Sequence, residues 1–151
     1  MMGDIIWFQQ AYVDTDEGIH NKETDEFKFG IVDNVITPAA TTADPRWGSG
    51  GTTDLSANEV TPGGNYSAGG PVIANPTVAL TDGKSRFDAD DVDIAQDASN
   101  PTGAYWAIVY NNTDTGKRAL CAIDLGGPAD LTAGPFSNAW NVSGIAETGA
   151  A

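Results

Sequence analysis

Short segments in which apolar and polar residues alternate recur along the chain, and glycine and proline separate them. Residues 27–36 alternate from Phe27 onward, as a strand with one buried face does. Residues 136–142 alternate in the same way and predict the last strand. Residues 104–110, AYWAIVY, are continuously apolar and too short for a typical helix. They therefore predict a central strand that is covered on both faces.

Turn residues join several of these segments into two predicted hairpins. Asp82-Gly83 is a strong tight-turn signal between residues 78–80 and residues 85–87. The polar run NNTDTGK, residues 111–117, connects the strand 104–110 to an apolar run at 118–125. Because neither apolar run is stable in water alone, we expect the two to pair as antiparallel neighbours. The core is expected to contain Ile108, Ile123 and Trp140.

The N-terminal segment fits two kinds of secondary structure. Ile5, Phe8 and Tyr12 have the spacing of one helix face, whereas Ile6 and Phe8 also fit a strand. Residues 1–20 are therefore predicted to form an N-terminal arm or a short helix.

Residues 38–58 are the second segment without a clear pattern. They are rich in glycine, proline and small polar residues, and they show no periodicity. A loop of this length inside a compact domain is usually functional or poorly ordered. Trp47, in its middle, either packs back into the core or anchors a neighbouring protein. The candidate partner contacts of the chain are Arg46, Trp47, Trp7 and Phe8.

The whole pattern predicts a single all-β domain over residues 1–151. A chain of 151 residues with 40% hydrophobic residues is long enough to bury a core. The expected architecture is a β-sandwich of the immunoglobulin-like or jelly-roll type, with a long Gly/Pro-rich loop at 38–58 and the N-terminal arm or helix.

Charge then narrows the classes of partner. The chain carries 21 acidic and 7 basic residues, a formal net charge of −14. Nucleic-acid phosphates require cationic contacts, so nucleic acid is not expected as a partner. No apolar run approaches the roughly 20 residues that span a bilayer, and no secretory signal is visible, so we expect no membrane partner.

Motifs for catalysis or cofactor binding are lacking in the sequence. The single cysteine, Cys121, lies in an apolar run and is interpreted as a small buried residue. The single histidine, His20, has no second histidine and no cysteine near it in the sequence with which to form a metal site. The glycine-rich stretch at 63–75 lacks the Lys-Ser/Thr of a phosphate-binding loop. The chain is therefore predicted to be no enzyme and to need no cofactor.

A cluster of aspartates in FDADDVDIAQ, residues 87–96, is the one candidate metal site. The EF-hand pattern fails there, because Gly and Glu are missing from the required positions. The preferred interpretation places Phe87, Ala89, Val92 and Ile94 inward and leaves the carboxylates in solvent on an exposed strand edge. A weak Ca²⁺ or Mg²⁺ site is the alternative. The aspartates concerned are Asp88, Asp90, Asp91 and Asp93.

Four motifs together resemble a family of small structural proteins from the virions of tailed bacteriophages. They are NEVTPGGNYSAGG at 58–70, DADDV at 88–92, YWAIVY at 105–110 and IDLG at 123–126, with WN and GI near the end of the chain. The family has an aromatic residue where Leu125 stands here. The resemblance covers most of the chain except residues 38–57, and its motifs are structural rather than catalytic.

The resemblance implies a non-catalytic virion protein, made in the host cytoplasm. A capsid decoration or cement protein that binds the assembled shell is the first expectation, with the major capsid protein or other virion proteins as partners. A homotrimer is expected, because one small domain buries too little area for lasting attachment. The alternatives are a tail, neck or head-fibre protein, or a carbohydrate-binding module with aromatic residues side by side on one face.

Overall fold

The structure is a computed structural model that describes residues 3–141 and 143–149. The described residues form eleven strands, one α-helix and a short 3₁₀ helix at Leu55–Asn58. In chain order the α-helix and strands are β1 (Ile5–Trp7), α1 (Gln9–Asp16), β2 (Phe27–Val32), β3 (Pro45–Arg46), β4 (Thr53–Asp54), β5 (Thr77–Thr81), β6 (Lys84–Asp88), β7 (Val92–Ile94), β8 (Ala104–Asn111), β9 (Ala119–Ala129), β10 (Phe136–Asn138) and β11 (Ala146–Gly149).

The centre of the fold is an antiparallel sheet of four strands in the order β1-β9-β8-β2. The predicted hairpin of β8 and β9 is confirmed, with Ile108 opposite Ala122 and Val109 opposite Cys121. Ile108 and Ile123 are fully buried, as expected. Strand β8 is buried along most of its length because it is central in the sheet and continuously apolar.

The N-terminal segment combines both of the structures that its sequence allows. Strand β1 pairs with β9 as an edge strand of the central sheet, and α1 starts two residues after it ends. Between them, Phe8 is fully buried and its N–H donates to the Leu120 carbonyl at 3.0 Å. The segment is therefore fastened to the core and is not a free arm.

A second sheet has three antiparallel strands in the order β11-β6-β5. The predicted hairpin at residues 78–87 is confirmed as β5 and β6. Its turn residues, Asp82 and Gly83, have φ angles of 51° and 76°, which are the positive values that a two-residue hairpin turn of type I′ needs. Glycine adopts such an angle without strain, which explains why this dipeptide marks the turn.

Smaller ladders complete the fold, and the long loop contributes one of them. Strands β3 and β4 pair in parallel within residues 38–58, and β10 pairs with β7. Residues 38–58 are therefore a long connection, as predicted, that contains a two-residue parallel ladder and a short 3₁₀ helix. The last strand, predicted over 136–142, is shorter in the structure, where β10 ends at Asn138. Val142, the end of the predicted strand, lies outside the described residues.

The all-β class is confirmed, since the only α-helix among the described residues is the eight-residue α1. The structure shows several antiparallel sheets, and the immunoglobulin-like or jelly-roll sandwich stays a prediction. Within the described ranges, no helix has the length and apolar character to cross a membrane.

Candidate functional site

The aspartate cluster lies at the surface, with its apolar neighbours inside. Phe87, Val92 and Ile94 are buried, while Asp91 and Asp93 are exposed. This is the inside–outside arrangement that the alternation predicts. Within residues 3–141 and 143–149, no group of three or more His, Cys, Asp or Glu side chains is arranged to hold a metal ion.

Two of these aspartates instead hold the end of the chain in place. The Trp140 backbone N–H donates to Asp91 Oδ1 at 2.9 Å, and its indole N–H donates to the Asp90 carbonyl at 2.9 Å. Asp90 Oδ2 also accepts a hydrogen bond from Asn75 Nδ2 at 2.7 Å. The cluster therefore positions Trp140, which is buried and packs edge-on against Phe29.

The glycine-rich motif at 58–70 forms a hydrogen-bonded network against the central sheet. Tyr66 is buried, and its hydroxyl accepts from the Ile31 N–H at 2.8 Å and donates to Glu59 Oε1 at 2.9 Å. The same Glu59 oxygen accepts from the Gly69 N–H at 2.6 Å, and the Tyr110 hydroxyl donates to the Gly69 carbonyl at 2.7 Å. Burial raises the pKa of both phenols, so they act as neutral donors. The motif therefore joins residues 58–70 to β2 and β8 of the central sheet.

Two of the four candidate partner contacts are corrected by their burial. Trp47 is only 7% exposed, and its ring stacks on Tyr110 with centroids 4.9 Å apart and planes at 3°. It thus packs back into the core, one of the two alternatives that its sequence position left open. Phe8 is fully buried because β1 and α1 hold it against β9. Neither side chain offers a surface to a partner.

Arg46 is largely occupied by its own loop. Its guanidinium donates from Nε and Nη2 to the two carboxylate oxygens of Asp44, each at 3.1 Å. This two-point hydrogen bond with Asp44 raises the pKa of Arg46 above its usual value. The arginine therefore stabilises the loop around Trp47, and its candidacy as a partner contact is weaker than the sequence suggests.

Trp7, the remaining candidate, lies in a surface cleft of about 210 Å³. The cleft runs between the N-terminal segment and strand β11, the edge of the three-stranded sheet opposite β5. Its lining residues are Trp7, Tyr12, Lys22, Ala146, Glu147 and Thr148. They come from three separate parts of the sequence, so no local motif signals the cleft.

The floor of the cleft is aromatic and cationic. The rings of Trp7 and Tyr12 lie with centroids 6.4 Å apart at an interplanar angle of 32°. The Lys22 ammonium lies 5.5 Å from the Trp7 ring centroid and 6.0 Å from that of Phe87, within cation–π range. Burial lowers the pKa of Lys22, and the ion pairs found in the described part of the chain do not include this lysine.

Glu147 forms the acidic wall of the cleft. It accepts hydrogen bonds from Arg86 Nε and Nη2 at 2.9 and 2.7 Å, and Lys84 Nζ lies 3.6 Å from its other oxygen. The hydrogen bonds from Arg86 lower the pKa of Glu147. Arg86 and Lys84 of β6 thus hold the Glu147 carboxylate in place. Its oxygen atoms lie in the same cleft as the rings of Trp7 and Tyr12.

Strand β5 is a second exposed feature, and it is the open edge of its sheet. Its first four residues are exposed, including Val78 and Leu80, and the Leu80 side chain is 83% exposed. Large apolar residues on an unpaired strand edge are typical of interaction sites or of aggregation hazards. The sequence predicted the hairpin but gave no indication that both its faces are exposed here.

One polar cluster is buried beside the central sheet. His20 Nδ1 lies 3.1 Å from Asn111 Nδ2, and the same amide nitrogen donates to Asp25 Oδ2 at 2.8 Å. His20 Nε2 has no hydrogen-bond partner among the described residues, and Asp14 Oδ2 is 3.9 Å away. Burial lowers the pKa of His20, and the nearby Asp14 opposes that shift only in part.

Cys121 is fully buried on β9, which agrees with its interpretation as a core residue. Burial raises the pKa of its thiol to about 12, so it is not a nucleophile at neutral pH.

Comparisons of the chain with models of known protein families, with curated proteins and with solved structures gave no match. The resemblance to phage virion proteins therefore stays a prediction.

Proposed function

We propose that this protein is a non-catalytic component of a tailed-bacteriophage particle, and specifically a capsid decoration protein that binds the assembled shell. Two features support the proposal. Two of the motifs that carry the resemblance, at 58–70 and 105–110, form the hydrogen-bonded network of Glu59, Tyr66, Gly69 and Tyr110, which ties the glycine-rich segment to the central sheet. The chain also exposes aromatic and apolar side chains at its N-terminal end.

That surface, here called the N-terminal face, consists of Trp7, Tyr12 and Val13, and it is the observation that carries the proposal. Tyr12 is 53% and Val13 48% exposed on α1, and Trp7 lies beside Tyr12 in the cleft. Tryptophan and tyrosine supply much of the binding energy at protein interfaces. Strand β1 and α1 hold this face rigidly on the central sheet, so little conformational entropy is lost when a partner binds.

A binding experiment with particles that lack the protein tests this proposal. Purified protein is added to such particles, and its binding is measured by co-sedimentation. We expect Tyr12→Ser combined with Val13→Ser to reduce binding at least tenfold. Val35→Ser is the matched control, because Val35 is an apolar side chain that is 77% exposed elsewhere on the surface.

Cryo-EM of the particles with bound protein then shows where on the particle the protein binds. Regular density on the shell is the expected result. Density on the tail, the neck or a head fibre would assign one of those positions instead, and unchanged binding of the double variant would contradict a role for the N-terminal face. Particles that neither contain nor bind the protein would overturn the virion proposal itself.

A second candidate function, carbohydrate binding, is favoured by the aromatic pair in the cleft. Trp7 and Tyr12 lie side by side, and Lys22 and Glu147 provide a donor and an acceptor next to them. Saccharide rings stack on such aromatic surfaces and use the neighbouring polar groups for hydrogen bonds. Calorimetric titration with neutral oligosaccharides is the test: saturable heat that Tyr12→Ser abolishes supports this function, and no heat at millimolar sugar excludes it.

A further inference from the structure

Along the open strand β5, residues whose backbone N–H and C=O groups bond to β6 alternate with residues whose groups point away from it. A two-residue turn makes Thr81 and Lys84 the hydrogen-bonded pair that closes the hairpin. Pairs alternate along an antiparallel ladder, so Val78 and Leu80, opposite Phe87 and Ser85, are the non-hydrogen-bonded positions. The N–H and C=O groups of Val78 and Leu80 therefore point away from β6, toward the open edge.

The order of side-chain types along β5 is the same from either end of the strand. The sequence is Thr77-Val78-Ala79-Leu80-Thr81. If two copies of this strand run antiparallel with Ala79 opposite Ala79, then Val78 lies opposite Leu80 and Thr77 opposite Thr81. Each pair joins residues of one kind, and cross-strand pairs of this sort stabilise a sheet. A two-fold axis requires such a self-complementary surface.

The backbone groups that point outward from β5 also fit this pairing. The outward groups of Val78 and Leu80 in one copy would meet those of Leu80 and Val78 in the other, which gives four backbone hydrogen bonds. Ala79 would meet its counterpart at the intervening non-hydrogen-bonded position, where the two backbones approach most closely and a small side chain fits best.

Charge also favours a second copy at this edge. The chain has 28 charged residues among 151 and a net charge of −14, so two copies repel each other over most of their surface. Strand β5 contains no charged residue, and its pairing with itself places no like charges opposite each other.

We infer that two copies of this protein pair through β5 about a two-fold axis at Ala79. The pair forms one six-stranded antiparallel sheet in the order β11-β6-β5-β5-β6-β11. Five residues from each copy are few against the 20–30 a side of a stable interface, so the dimer dissociates on dilution. The inference rests on β5 alone and does not depend on the proposed function. It replaces the expected homotrimer by a dimer.

Site-specific cross-linking tests the position of the axis. In the paired strands, Ala79→Cys brings two thiols opposite each other, with Cβ atoms about 4.5–5.5 Å apart. Thr77→Cys, on the same exposed face, is the matched control, because residues 77 of the two copies lie about 14 Å apart at 3.4 Å per residue. Cys121 is buried and does not compete. We expect oxidation to convert Ala79→Cys to a disulfide dimer at least tenfold faster than Thr77→Cys.

Sedimentation velocity over a range of concentrations tests the association without a cross-link. We expect the unmodified protein to shift from monomer to dimer as its concentration rises into the high micromolar range. Leu80→Pro removes one outward N–H without touching the bonds to β6, so it should remain monomeric with an unchanged thermal midpoint. Equal cross-linking rates for the two cysteine variants, a purely monomeric unmodified protein, or a trimer would each overturn the inference.

Discussion

The four-stranded and three-stranded sheets have opposite relations to the core. In the central sheet, β8 and the first half of β9 are almost entirely buried, and their neighbours β1 and β2 close both sides. In the outer sheet, β5 is exposed along nearly its whole length and β6 is buried at one residue, Phe87. The first sheet holds the molecule together, whereas the second displays strand edges and side chains.

Phe87 is the link between the two sheets. Its side chain is buried and packs against Phe27 of β2, with ring centroids 5.6 Å apart. The ion pair between Arg86 and Glu147 joins β6 to β11 within the outer sheet, is partly exposed, and is expected to contribute little stability. The Phe87–Phe27 contact thus helps to fix the base of the hairpin, while most of β5 stays exposed and available for contacts outside the chain.

The largest expected effect is a difference in stability loss between a substitution in the central sheet and one in the outer sheet. Ile108→Ala should lower the free energy of unfolding by about 2–5 kcal/mol, because it leaves a cavity in the buried centre of β8. Leu80→Ala, on β5, should change it by less than about 0.5 kcal/mol, because that side chain is exposed. Urea denaturation of both variants measures the difference, and equal losses would show that the outer hairpin belongs to the core.

A smaller loss is expected where the glycine-rich motif meets the central sheet. Tyr66→Phe removes the hydroxyl that satisfies the Ile31 N–H and leaves that donor buried without a partner. Such a loss costs about 1–3 kcal/mol. Tyr12→Phe is the control, since its exposed hydroxyl has water as an alternative partner. Similar midpoints for the two variants in urea would contradict the structural role of the motif.

The buried histidine beside the central sheet should make stability depend on pH. Burial holds the pKa of His20 below its ordinary value of 6.5, so the unfolded chain binds this proton more readily than the folded chain. The contribution of His20 to the free energy of unfolding is present above its unfolded-state pKa of about 6.5. It is lost as the pH falls from there toward the lower pKa of the folded state. Lys22 also opposes protonation, while Asp14, Asp25 and Asp114 favour it.

His20→Gln should flatten this dependence between about pH 7.5 and 5.5, the range around the ordinary histidine pKa. Thermal midpoints of both proteins across that range are the measurement. A slope that the substitution leaves unchanged would assign the dependence to other groups.

The smallest expected effect concerns the aspartates that follow β6. Asp91→Asn keeps an oxygen to accept the Trp140 N–H, so its cost should stay under about 0.5 kcal/mol. Adding a chelator should leave the melting temperature unchanged. A melting temperature that falls with chelator and recovers with Ca²⁺ would instead establish a cation site at Asp88, Asp90, Asp91 and Asp93.

Local patterns in the sequence predict the all-β class and both hairpins correctly. Each depends on residues within about twenty positions, such as the apolar runs on either side of the turn at 111–117 or the dipeptide Asp82-Gly83. The burial of Phe87, Val92 and Ile94 also follows directly from alternation. These features are set by neighbouring residues, so a single sequence is enough to find them.

The candidate site is much less predictable because it depends on distant residues. The cleft joins Trp7, Lys22 and Glu147, which are separated by up to 140 positions, and no pattern relates them. The burial of Trp47 depends on stacking against Tyr110 of β8, which is far along the chain. The exposure of Leu80 depends on which side of its sheet stays open, and an apolar residue in a strand is otherwise expected inside.

The position of Trp47 has a consequence for the order in which the chain folds. Its ring lies on Tyr110 of β8 and so close to Gly30 of β2 that a Cβ atom there would overlap it. Because that platform exists only after β2 and β8 have paired, we expect residues 38–58 to dock late, after the central sheet has formed. Substitutions in this loop should mainly speed unfolding and leave the refolding rate almost unchanged. The indole of Trp47, one of four in the chain, should then change its fluorescence in the final step of folding.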